Sequence, residues 1–253
     1  MIKPLYRSVL LMALICLASP SLHAKTLKVA VGLSIPPYFI KEENRGIEYD
    51  ILKEALASQG YKMEPRYVPL GRTLHLMKYG QVDGIMSTGR RDLPGCYTQP
   101  HITYWNFAIS LKKRALNIKS IEDLNDKRVL SFQNAKHYLG PAFKKMALNN
   151  PNYDEIANQS VQNKLLFNGR VDVVVADRFI FEWFRQDPDV KKVANTEQEV
   201  VHHNLFEPSE FGAVFKDDEI CKAFNIGLQE LHDSGRYFEI IASYNVAKPN
   251  LVN

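Results

Sequence analysis

The sequence is poor in several things that would point to particular functions. Beyond its N-terminal segment it has no stretch long and apolar enough to span a bilayer, which needs about 20 residues. No basic run is interleaved with aromatics, and the formal net charge is only +4, so composition favours neither nucleic acid nor a membrane surface. No Gly-rich phosphate loop, no His-Glu-x-x-His pattern and no close cluster of Cys and His is present, so the residues call for no metal and no cofactor. His202 and His203 adjoin, but neighbours on a strand face opposite ways, and they read as a polar loop. Cysteine is scarce, with three in 253 residues.

Lys3 and Arg7 precede an apolar run from Ser8 to Ala18, Pro20 breaks it, and Ser21-Leu22-His23-Ala24 ends on a small residue. That is the layout of a secretory signal peptide cleaved after about Ala24, with export to the periplasm. A retained anchor is the alternative. A lipoprotein reading at Cys16 is disfavoured by the bulky Ile15 before it. Cleavage lowers the net charge to +2 and leaves Cys96 and Cys221, an even count that invites a disulfide in an exported chain, although only geometry decides whether it forms.

From Lys25 onward the pattern alternates. Thr26–Val31 reads as a strand, Tyr49–Ser58 as a helix stopped by Gly60, Tyr61–Pro69 as a strand, Leu74–Tyr79 as a short helix and Val82–Met86 as a buried strand. The alternation restarts with a helix start at Ile121–Leu124, a strand at Arg128–Phe132, helices at Ala135–Leu148 and Val161–Asn168, and a β-branched strand at Val171–Ala176. A helix at Phe179–Arg185, a strand at Phe211–Phe215 and helices at Glu219–Ser234 and Tyr237–Tyr244 complete it. Such alternation indicates α/β architecture with mostly parallel sheets and flanking helices. Two such blocks joined by a hinge would hold a ligand in the cleft between them.

Several pieces, in order, carry a resemblance: Pro37-Tyr38-Phe39, Gly46-Ile47-Glu48-Tyr49-Asp50, Gly80-Gln81-Val82-Asp83, Arg91 ahead of Tyr97-Thr98, Gly169-Arg170-Val171-Asp172 with Asp177, and Phe215-Lys216-Asp217-Asp218 followed by Gly235-Arg236-Tyr237. The chain resembles the periplasmic solute-binding proteins of polar amino-acid ABC importers, extracellular solute-binding family three, over nearly its whole exported length. The resemblance implies a two-lobed, type II periplasmic-binding-protein fold. Lobe 1 would be 25–112 plus 206–253, and lobe 2 would be 113–205. It also implies a monomeric, non-enzymatic receptor for an amino acid or a derivative, with a membrane permease as partner.

It implies a ligand set as well. Arg91, with Arg90 as fallback, would grip a carboxylate bidentately. Asp177 at the end of its strand would accept from an ammonium, or else cap the helix that follows. Tyr38 would form an aromatic wall or simply pack its loop. Ser87 and Thr88 would donate hydroxyls. Asp50 reads as a helix N-cap, Asp83 and Asp172 as structural, and Trp105 and Trp183 as packing residues, with Trp183 also within possible reach of the cleft. Two departures bear on the ligand. The segment from Asp83 to Arg91 is about four residues shorter than in the family, and Ser131-Phe132-Gln133-Asn134-Ala135 stands where a Gly-Thr pair is common. Phe132, Gln133 and Asn134 would then line a changed pocket. Two other readings use the same fold: a sensory protein that presents its closed form to a membrane partner, and a dehydratase-like enzyme, which needs a general acid in the cleft, for which Glu48 is the one acidic candidate beyond Asp177.

Overall fold

The structure, a computed structural model, describes residues 24–246. The signal-peptide segment and its cleavage site lie outside the described residues, apart from Ala24 itself. The chain opens with β1 (Lys25–Val31), a small ribbon of β2 (Ser34–Ile35) and β3 (Phe39–Ile40), then α1 (Ile47–Ser58), β4 (Tyr61–Tyr67), α2 (Leu70–Lys78), β5 (Gly84–Thr88), β6 (Cys96–Tyr104) and β7 (Asn106–Leu111). Next come β8 (Val129–Phe132), α3 (Ala135–Tyr138), α4 (Gly140–Asn149), β9 (Tyr153–Ile156), α5 (Ser160–Phe167), β10 (Val173–Asp177), α6 (Arg178–Gln186), α7 (Pro188–Lys191) and β11 (Val200–His203). The chain returns through β12 (Ser209–Phe215), α8 (Asp218–Asp233) and α9 (Arg236–Ser243).

These strands form two five-stranded sheets, ordered β4-β1-β5-β12-β6 and β11-β7-β10-β8-β9. In the first, β1 runs parallel to β4 and β5, while β12 is antiparallel to β5 and β6. In the second, β10, β8 and β9 run parallel, and β7 is antiparallel to both its neighbours, β10 and β11. The first crossing between sheets is at Trp105, ahead of the expected boundary at 112, because Asn106–Ser110 pairs residue for residue with β10 and Leu111 with β11. The chain crosses back between His203 and Ser209.

The apolar run of β10 follows from burial on both faces. Val173 and Val175 pack with Phe143, Leu124 and Val129 on one side, and Val174 and Ala176 with Ile109, Leu130 and Phe181 on the other. In the first lobe, Ile47, Ile51, Leu52, Ala55 and Leu56 put one stripe of α1 against the sheet and α8. Gly46 must be glycine: φ is +145°, and a Cβ would stand 2.2 Å from the Tyr38 carbonyl oxygen. Gly46 also precedes the first residue of α1, so Asp50 does not cap that helix and instead accepts a hydrogen bond from the Tyr244 hydroxyl at 2.5 Å. Cys96 on β6 and Cys221 on α8 are joined by a disulfide with Cα atoms 6.2 Å apart, which fastens the last long helix to the edge of the first sheet.

Several expectations need correction. The helix expected over Ala135–Leu148 is two helices, broken where Gly140 takes φ +86° before Pro141. The helix start at Ile121–Leu124 is a single 3₁₀ turn. His202 and His203 lie on β11 rather than in a loop. His203 is buried, with Nε2 2.9 Å from Ser110 Oγ and Nδ1 3.1 Å from the Ile118 carbonyl. The Trp105 indole is largely exposed rather than packed.

Candidate functional site

The C-terminal ends of β5, β8, β9 and β10 all open on one cleft between the sheets, where ligands collect in open α/β folds. Its volume is about 660 Å³. Ser34, Ser87, Thr88, Tyr104 and Phe211 come from the first lobe; Asn106, Gln133, Asn134, Asn158, Gln159 and Asp177 come from the second. Two carboxamide pairs stand out. Gln133-Asn134 follows β8, and Asn158-Gln159 lies just beyond β9, its parallel neighbour. Gln159 Oε1 is buried without a hydrogen-bond partner. Phe132, Phe184, Tyr138 and Phe39 add aromatic surface, with Tyr138 strongly exposed at the lip.

Asp177 sits at the junction of the lobes. Its Oδ1 accepts from the Phe179 and Ile180 amides at 2.9 and 3.1 Å, so the side chain caps α6. Its Oδ2 accepts from the Trp105 amide at 2.8 Å, on the crossing between sheets. Burial pushes this carboxyl up to about 6, against the opposing pull of those amides. Beside it lies the Tyr38 hydroxyl, which burial and then the Asp177 charge push well above the usual tyrosine range.

The structure brings Ser87, Thr88, Gln133, Asn134 and Asp177 to the cleft and leaves Tyr38 and Arg91 away from it. Tyr38 is fully buried behind the wall, stacked on Tyr104 with ring centroids 4.0 Å apart. Tyr104 therefore presents the aromatic face that Tyr38 was expected to supply. Arg91 lies over the Tyr97 ring, 5.2 Å from its centroid, and Arg90 pairs with Asp92 at 2.5 Å. The short loop after β5 is the reason: it turns at Gly89 and rejoins β6 at Cys96. Trp183 packs on the first-lobe core, and its neighbour Phe184 lines the cleft. Asp172 is held by Arg128 and Arg114, and Asp83 accepts from the Lys28 amide, both structural duties.

Glu48 is sealed at zero exposure. It accepts from the Tyr104 hydroxyl at 3.1 Å, and its other oxygen is 3.3 Å from His101 Nε2. The sequence reading missed Asn158, Gln159 and Tyr104 as cleft residues. The signal for the first two was a second amide doublet soon after a strand-like segment, but β9, with its acidic Tyr153-Asp154-Glu155 start, does not read as a buried strand.

The sequence model of the bacterial extracellular solute-binding proteins, family 3, matches residues 27–247. The chain belongs to this family. Its members are typically extracellular or periplasmic. No curated protein sequence matches the chain. Among solved structures of the same fold is a histidine kinase sensor domain with similarity to periplasmic binding proteins (19% identity, TM-score 0.65, covering 88% of this chain and 96% of that one). An ancestral arginine-binding protein bound to arginine is similar at 23% identity and TM-score 0.63, covering 88% and 99%. An amino-acid ABC transporter substrate-binding protein from Streptococcus pneumoniae, bound to L-arginine, is similar at 19% identity and TM-score 0.62, covering 87% and 94%. At these identities the likeness shows the fold, which is that of two-lobed periplasmic binding proteins. Within the family frame, this cleft is built from amides, hydroxyls and aromatic rings.

Proposed function

We propose that this chain is an exported solute-binding protein that closes its two lobes around a small polar ligand, an amino acid or a derivative of one, and delivers it to the permease of an ABC importer. The observation that carries the reading is the 660 Å³ cleft, to which both lobes contribute hydrogen-bonding side chains. A ligand bound first to one lobe gains contacts from the other on closure, and it shifts the population toward the closed form by that differential affinity alone. The site residues we assign are Ser87, Thr88 and Tyr104 from the first lobe and Gln133, Asn134, Asn158 and Gln159 from the second, with Asp177 holding the junction. Export to the periplasm after cleavage near Ala24, and action as a monomer, complete the proposal.

An enzymatic role is disfavoured by the state of its two candidate acids. Glu48 is walled off behind Tyr104, and Asp177, which lines the cleft, has both oxygens engaged by the Trp105, Phe179 and Ile180 amides. A sensory role is the second reading, kept because a kinase sensor domain shares the fold over nearly its whole length. The experiment is a thermal-melt screen of the purified protein against amino acids, their derivatives, polyamines and small organic acids. A ligand at about 100 times its dissociation constant adds roughly 2.7 kcal/mol. A shift with a defined solute supports the receptor reading, and its absence from a well-folded sample across all classes opposes it.

A further inference from the structure

Among the described residues lining the cleft, Asp177 is the one that carries a formal charge, and that charge is negative. A free carboxylate drawn into a partly dried cleft needs a guanidinium, an ammonium or unpaired backbone amides; without one, its desolvation is uncompensated. The groups best placed to serve are engaged elsewhere. Arg90 and Arg91 are engaged elsewhere, with Asp92 and Tyr97. The amides that start α6 are taken by Asp177. The amide that starts α5 is taken by Asn158, whose Oδ1 accepts from the Ser160 amide at 3.1 Å. Around α3, Glu155 already provides a carboxylate: it accepts from the Asn134 amide at 2.8 Å, the Lys136 amide at 3.1 Å and the Tyr153 hydroxyl at 2.7 Å. Partial burial pushes the Glu155 carboxyl up, but these hydrogen bonds outweigh it and hold the group below its usual range.

What the cleft offers instead is five carboxamides, Asn106 and the two doublets, a residue type that carries both donors and acceptors, beside aromatic faces. The buried Gln159 Oε1 is an acceptor that still lacks a donor. Carboxamides pair best with an uncharged edge that mixes N–H and C=O groups, and a site so built rejects analogues lacking that edge. We infer that this cleft selects a ligand with no free carboxylate, an amino-acid derivative whose carboxyl is masked as an amide or lactam, gripped at that edge by Gln133, Asn134, Asn158 and Gln159. The inference rests on the solute-binding reading above and narrows its ligand class.

The test titrates the purified protein with matched probes: amino acids against their amides, and linear dipeptides against the corresponding cyclic dipeptides. A Gln133→Arg variant, which adds the missing cation to the lining, is run in parallel. The expected result is that at least one carboxylate-free probe binds ten-fold or more tighter than its free-acid partner, and that Gln133→Arg narrows or reverses the preference. A wild-type protein that binds a free amino acid as tightly as its amide overturns the inference and leaves the receptor reading intact. If the wild type binds neither arm but Gln133→Arg gains free amino acids, the missing counter-charge is supported. If both proteins are silent to every probe, the cleft is not a solute site and both readings fall.

Discussion

Replacing Asp177 with asparagine removes a buried charge but keeps a side chain that can cap α6. The magnitude follows from the shift. The folded-state carboxyl titrates near 6 against a reference of 3.8, and each unit is worth about 1.36 kcal/mol. Keeping Asp177 ionised in the fold therefore costs about 3 kcal/mol at pH 7. The sign follows from proton binding: between roughly pH 4 and 6 the native state holds the proton more tightly than the unfolded state, so this group makes stability fall as pH rises through that window. Denaturant melts of wild type and Asp177→Asn at half-unit steps from pH 4 to 8 measure the difference. The wild type should lose about 3 kcal/mol relative to the variant between pH 4 and 7 and then hold level. A difference that stays flat, or that moves in favour of the wild type as pH rises, would refute the placement of a desolvated carboxylate at the lobe junction.

Two further outcomes follow from structural contacts. Asp172 is pulled down to about 2, first by Arg128, so its contribution is present above about pH 4 and lost as pH falls toward 2; Asp172→Ala should cost about 2 kcal/mol at pH 7 in denaturant melts, and much less near pH 2. The Cys96–Cys221 bond closes a sequence separation of 125 residues, for which chain entropy gives about 5 kcal/mol at most; a double Cys→Ser variant should melt at clearly lower denaturant, and the wild type should move toward it when reductant is added.

Much of the fold was legible because periodicity and burial agree. The β-branched run at Val173–Val175 and the stripe Ile51, Leu52, Ala55, Leu56 place β10 and α1 directly. Three of the four missed strands of the two main sheets share a physical cause; the fourth, β7, is apolar, buried and internal to its sheet and was not read from the sequence. β6 is mostly polar and carries Pro100, β9 is acidic and β11 ends in two histidines, so edge and near-edge strands lack the apolar alternation that marks a half-buried strand. The site divided along a similar line. Asp177, closing an apolar strand, could be placed by strand direction, whereas Thr88 and Gln133 were reached through the family resemblance and stand at the ends of β5 and β8. Arg91 and Tyr38 could not be placed, because a shortened loop and a stacked ring are decided by tertiary packing. The capping role of Asp177 was visible in the helix that follows it, and its structure-borne hydrogen bonds show that the cap and the cleft wall are one side chain.

The measurement that bears most directly on the central claim is a binding titration with a solute that raises the melting temperature of the wild type, repeated on Ser87→Trp. Ser87 lines the cleft near the end of β5, so an indole there would project bulk into the space between the lobes. The account predicts that the variant folds with little change in melting temperature and loses at least a hundred-fold in affinity for that solute. Unchanged affinity in a folded Ser87→Trp protein would contradict it, because the solute would then be binding somewhere other than the cleft between the lobes.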